Sequence, residues 1–86
     1  MNLEKAIETL NAHYTWPCDY SFKFIVPKDR VERLMTTFAS TFQSTSQRKS
    51  SKGSYISVTA TAKVKSAQDV LQIYKTAKSI DGLIAL

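Results

Sequence analysis

One histidine, one cysteine and seven carboxylates are the residues of this 86-residue chain whose types carry the commonest enzyme chemistry. His13 and Cys18 stand five positions apart. A cysteine nucleophile needs a base to take its proton, a group that orients the base, and donors for the developing oxyanion. The sequence around the pair offers neither an orienting acid nor a donor pair. The spacing matches no zinc motif, and there is no second histidine. A single cysteine excludes an internal disulfide and suits a reducing compartment. Among the carboxylates, Asp29, Glu32 and Asp69 fall at helix starts and Asp81 in a turn with Gly82. Glu4, Glu8 and Asp19 do not make a pair at a reliable site for acid–base work. These residues predict a chain that is not an enzyme and holds no metal or cofactor.

Binding chemistry is better represented. The formal net charge is +5. Between Lys28 and Lys52 lie six basic residues (Lys28, Arg30, Arg33, Arg48, Lys49 and Lys52) against Asp29 and Glu32, a net +4. Such a run attracts acidic proteins, anionic metabolites or nucleic acid, and as a solvated face it also keeps a small protein soluble. Ser51-Lys52-Gly53 is a glycine-bearing loop whose backbone N–H groups, beside Lys49 and Lys52, suit a phosphate. It is not a P-loop, because the Gly-x-x-x-x-Gly-Lys-Ser/Thr spacing is missing. A hairpin turn accounts for Gly53 without any ligand. Tyr55 follows directly, placed to stack on a base, to pack on a partner, or to serve only as a strand former. The expected interaction patch is Lys28, Arg30, Lys49, Ser51, Lys52, Gly53, Tyr55 and Lys78.

These residues need elements to position them. Asn2 is placed to cap a first helix with Leu3, Ala6, Ile7 and Leu10 on one face, and Trp16-Pro17 ends it. Asp19 to Val26 alternates, with Tyr20, Phe22, Phe24 and Val26 pointing one way: a half-buried first strand. Asp29 with Glu32 reads as an acidic capping box for a helix whose stripe is Val31, Leu34, Met35, Phe38 and Phe42. After a Ser/Thr-rich connection, Gln47-Arg48-Lys49-Ser50 suits an exposed edge strand. Ser51–Gly53 turns the chain into a third strand, Tyr55 to Val64, which alternates throughout with Ile56, Val58, Ala60, Ala62 and Val64 inward. Ser66 with Asp69 caps a last helix that shows Val70, Ile73, Tyr74 and Ala77 on one face. Asp81-Gly82 breaks it before a short strand at Leu83–Leu86.

The predicted class is α+β: a ferredoxin-like βαββαβ sandwich preceded by an N-terminal helix, with an antiparallel sheet of order 4-1-3-2 and two helices on one face. That order centres the two long apolar strands and leaves the charged second strand at an edge. It also gathers Lys28, Arg30, Lys49, Lys52, Lys75 and Lys78 at one end of the sheet as a basic patch.

Trp16-Pro17, Tyr20-Ser21-Phe22-Lys23, the stretch Ser50-Ser51-Lys52-Gly53-Ser54-Tyr55-Ile56-Ser57-Val58 and the closing Ser79-Ile80-Asp81-Gly82-Leu83 resemble the YbeD-like family of small bacterial proteins. The matching pattern runs from about Trp16 to Leu86. The resemblance implies a fold similar to the ACT regulatory domains that sense amino acids beside metabolic enzymes, and with it a regulatory role. The turn Val26-Pro27-Lys28-Asp29 departs from the amino-acid-sensing pattern, which usually keeps a glycine there. Proline also removes a backbone donor. Lys52-Gly53-Ser54-Tyr55-Ile56 weakly resembles an RNA-recognition motif, which stacks bases on aromatics of the two central strands. The open face of the third strand offers Tyr55 alone beside Ser57, Thr59 and Thr61.

Length predicts one domain, 1–86, with 1–15 a helical extension. No apolar run approaches the ~20 residues that cross a bilayer, and Glu4, Lys5 and Glu8 do not read as a secretory signal. The expectations are a cytoplasmic location and no membrane partner. The function expected is a non-catalytic regulatory or adaptor domain working through a protein partner or as a homodimer. A sensor of a small anionic or amino-acid metabolite is one alternative, and a weak nucleic-acid-binding module the other.

Overall fold

The computed structural model describes residues 3–86. In chain order it contains α1 (Leu3–His13), β1 (Cys18–Pro27), a 3-10 turn (Lys28–Arg30), α2 (Val31–Thr37), β2 (Phe42–Lys49), β3 (Tyr55–Val64), α3 (Ala67–Ala77) and β4 (Ile84–Ala85). Asn2, read as the cap of α1, lies outside the described residues.

The alternating apolar residues of β1 and β3 drive a ten-residue antiparallel pairing, from Cys18 opposite Val64 to Pro27 opposite Tyr55. Because strand side chains alternate faces, the even-numbered residues of both strands share one side. Phe22, Phe24, Val26, Ile56, Val58, Ala60, Ala62 and Val64 are all buried there. Phe22 stands opposite Ala60 and Phe24 opposite Val58, so large residues meet smaller ones and leave depth for helices. Leu34 of α2, Phe38 just beyond it, and Val70, Ala77 and Ile80 in or after α3 complete the same cluster. β2 and β4 pair antiparallel with β3 and β1, giving the order β2-β3-β1-β4, or β4-β1-β3-β2 from the other edge. α1 lies alongside α3, with Leu10 packed on the margin of the core.

The structure corrects the sequence pattern in three places. The stripe from Val31 to Phe42 is not one helix, since α2 stops at Thr37. Thr36, Thr37, Ser40 and Thr41 favour local side-chain bonds over helix continuation, and Thr37 donates its hydroxyl to the Arg33 carbonyl at 2.7 Å. The chain turns through Thr41 and Phe42, whose amides both donate to the Phe38 carbonyl. Phe42 opens β2 and stacks on Phe38 with ring centroids 4.7 Å apart. The second strand is accordingly longer than Gln47–Ser50: it takes in the Ser/Thr-rich segment read as a connection and ends at Lys49. The Asp29/Glu32 capping box is absent too. Pro27, extended at φ −55° and ψ 141°, leads into the 3-10 turn, so Arg30 and not Asp29 occupies the N-cap of α2, without a side-chain bond. Ser66 does cap α3: its hydroxyl accepts from the Asp69 amide at 3.3 Å, and the Asp69 carboxylate accepts from the Lys65 amide at 2.9 Å.

A bulge near the start of β2 reverses the facing of that strand. Phe42 pairs with Ala62 but Ser44 pairs with Thr61, so two β2 residues oppose one on β3. Phe42 thereby faces the core, while Ser44, Ser46 and Arg48 share the opposite face with Ser57, Thr59 and Thr61.

Two glycines hold positive φ, Gly53 at 72° and Gly82 at 79°. A β-carbon at Gly53 would meet nothing within 4 Å, whereas at Gly82 it would come within 2.8 Å of Pro27 Cγ. Gly53→Ala is therefore expected to cost about 1–2 kcal/mol, the left-handed strain alone. Gly82→Ala is expected to cost roughly 2–4 kcal/mol, because overpacking against Pro27 adds to that strain. Urea unfolding of both variants checks the order.

Candidate functional site

The β1–β3 register fixes most of the basic residues singled out in the sequence. Lys28 follows β1 immediately and its amide donates to the Ser54 carbonyl at 3.1 Å, tying the 3-10 turn to the β2–β3 loop. Lys49 ends β2 opposite Ile56, and Tyr55 opens β3 opposite Pro27, 44% exposed. Lys28, Lys49, Ser51, Lys52, Gly53 and Tyr55 thus meet at one end of the sheet. Arg30 lies in the adjoining turn, 3.8 Å from the Asp29 carboxylate. The loop is a closed turn: the Gly53 amide donates to the Ser50 carbonyl, the Ser50 amide to the Tyr55 carbonyl, and the Tyr55 amide to the Ser50 hydroxyl. Of the Ser51, Lys52 and Gly53 amides read as a phosphate cradle, that of Gly53 is engaged inside the loop. Lys75 of α3 and Lys78, at its C-cap, instead line a groove on the helical side of the molecule.

That groove, about 950 Å³, runs between α1 and α3 and ends at the last residues of the chain. Leu3, Ala6, Ile7 and Leu10 come from the apolar stripe of α1; Leu71 and Tyr74 come from α3; Ala85 and Leu86 close one end. Leu3 and Leu86 are 60% and 64% exposed, large apolar surface left in water. The lining includes Lys5, Lys75 and Lys78 but no aspartate or glutamate side chain. Sequence reasoning missed this site, although a signal existed. Gln68, Leu71, Gln72, Lys75 and Lys78 repeat at three and four residues, marking a second face of α3 beside the core-facing Val70, Ile73, Tyr74 and Ala77.

Two tyrosines border the groove. Burial, and then the neighbouring Tyr74 hydroxyl, push the Tyr20 phenol well above its ordinary range. Tyr20 also packs on Tyr14 and Phe22 at centroid distances of 5.0 and 4.7 Å. A phenol held neutral in this way serves packing and hydrogen bonding. His13 is exposed at the end of α1, and Cys18 is partly buried at the start of β1, packed on the core margin. Among the described residues no group of three or more His, Cys, Asp or Glu side chains could hold a metal ion. None of their helices is long and apolar enough to cross a membrane.

A family model described as "Protein of unknown function (DUF493)" matches residues 11–86. No curated protein and no solved structure matches the chain.

The raised Tyr20 pKa carries a stability consequence. A phenol that ionises more readily in the unfolded chain stabilises the fold fully below the unfolded pKa and loses that stabilisation as pH rises towards the folded one. Stability is therefore expected to fall as pH climbs past about 10, the ordinary phenol value. Tyr20→Phe should flatten that alkaline slope, and chemical unfolding between neutral and alkaline pH measures it.

Proposed function

The chain belongs to the DUF493 family, whose function is not established, and we propose that it is a non-catalytic adaptor domain that holds a protein partner in the groove between α1 and α3. The observation that carries this reading is the groove's composition: an apolar lining bordered by Lys75 and Lys78, with no aspartate or glutamate side chain among its residues. The occupant that fits is an amphipathic segment of another protein, with apolar anchors at helical spacing and acidic residues beside them. Apolar anchors gain by leaving water, and acidic neighbours complement the lysines and speed encounter. A regulatory role of the ACT-like kind, a ferredoxin-like and YbeD-like identity and a cytoplasmic setting accord with this reading. They are supported by the Ser50–Val58 and Ser79–Leu83 stretches, by the four-stranded antiparallel sheet with helices packed on it, and by the single cysteine.

A displayed peptide library selected on the whole chain tests the reading. The enriched peptides are expected to carry two or three apolar residues at spacings of three or four, with Asp or Glu beside them. Lys75→Glu with Lys78→Glu changes exposed residues only, and is expected to weaken a selected peptide on the order of ten-fold. Leu71→Asp should weaken it as well. Peptides without acidic residues, or binding indifferent to all three substitutions, would overturn the proposal.

A further inference from the structure

The sheet face away from the helices is polar and basic, and it has its own recess. We propose that this face carries an anion site, built by Lys23, Ser46, Arg48, Ser57 and Thr59, that takes the phosphate group of a small phosphorylated metabolite. The site is separate from the α1–α3 groove and does not rest on that reading.

The register assembles it. Lys23 of β1 stands opposite Thr59 of β3, Thr59 opposite Ser46 of β2, and Ser57 opposite Arg48. Together with Gln47 these residues line a recess of about 370 Å³. Ser57 and Thr59 on β3 and Ser46 on β2 supply three hydroxyls between Lys23 on central β1 and Arg48 on edge strand β2. Strand spacing puts Lys23 and Arg48 about 10 Å apart across the sheet and roughly 7 Å along it. Both line the recess, and side chains of their length can reach across that gap to one bound anion. An ammonium and a planar guanidinium, with three O–H donors beneath, suit the several acceptor oxygens of a phosphate dianion.

Charge balance points the same way. Among the described residues neither Lys23 nor Arg48 forms an ion pair, and the three hydroxyls have no intramolecular partner. Among the described strand residues, the carboxylate on this face is that of Asp19, which stands opposite Lys63, four residues along β1 from Lys23. Its cross-strand neighbour is Lys63, not a residue of the recess. Two like charges held within roughly a Debye length of each other repel at low salt, and a bound anion relieves that repulsion. The recess is the size of a small ligand, and the face lacks the row of aromatics on which single strands stack, so a metabolite is favoured over a nucleic acid.

Amide NMR of the labelled full chain tests this, titrated separately with inorganic phosphate, glycerol 3-phosphate and a short oligothymidylate. Saturable shifts at Ser46, Arg48, Ser57 and Thr59 with the phosphomonoester are expected. Arg48→Gln and Lys23→Gln, both at exposed positions, should each weaken it on the order of ten-fold, while Lys52→Gln at the hairpin loop leaves it unchanged. Equal saturation by inorganic phosphate would support the site and mark phosphate as the whole recognised group. Three results would overturn the proposal: no shifts on this face with either phosphate, equal loss in Lys52→Gln, or saturation by the oligonucleotide alone.

Discussion

The antiparallel pairing of β1 with β3 is the constraint on which the rest of the molecule depends. Each strand alternates for its full length, so ten residue pairs in one register send the large apolar side chains to one face and the polar ones to the other. A slip of one residue would exchange the two sets, which is why a half-buried pair specifies its register so strongly. On the buried face Phe22 and Phe24 lie nearly parallel, centroids 6.1 Å apart, and Tyr74 of α3 meets Phe22 edge-on at 5.2 Å. Phe42 reaches both phenylalanines at 6.3 Å. Burying each such ring is worth roughly 2–3 kcal/mol, so this ladder anchors β2 and α3 to the central strands.

The bulge at the start of β2 converts that constraint into two surfaces. Without the extra residue, Phe42 and Arg48 would project to the same face, since their numbers share parity. With it, Phe42 joins the aromatic ladder and Arg48 reaches the polar face, on the far side of β3 from Lys23. A single irregularity thus serves core and surface together: an edge strand so polar is held by its backbone pairing with β3 and by one aromatic anchor at its start.

Strand limits were legible where period-two alternation ran long; β3 spans Tyr55–Val64 as its pattern predicts. The Ser66/Asp69 cap was legible because both groups needed for it lie within one turn. The fate of Phe42 was not. A spacing of four brings it beside Phe38 in a helix, and a tight turn into a strand does the same, so periodicity cannot separate the two. Asp29 misled because the capping signature ignores the 3-10 turn that Pro27 imposes. The hairpin end of the basic patch could be read locally, since Lys49, Ser51, Lys52, Gly53 and Tyr55 are neighbours in sequence. The groove could not, because it exists only once α1 lies against α3. The recess on the polar face needed two strand registers and a bulge to bring Lys23 beside Arg48, twenty-five residues later.

The two proposed surfaces differ in the rigidity of what builds them. The anion recess sits on three hydrogen-bonded strands whose other face is the core, so its side chains are displayed by the least deformable part of the fold. The groove has one firm wall and one loose one: α3 contributes Ala67, Val70 and Ala77 to the interior, whereas α1 has no buried residue at all. Local opening draws on elements that bury little, so α1 is the element able to move when a partner enters. Tyr20 and Lys23 of β1 present to the two sites from opposite faces of one strand. That closeness is not coupling, which requires an element with two arrangements that both ligands bias. An anion over Lys23 and Arg48 touches nothing that α1 touches. The fold therefore favours independent loading of the two surfaces, with any adaptation confined to the helix at the groove.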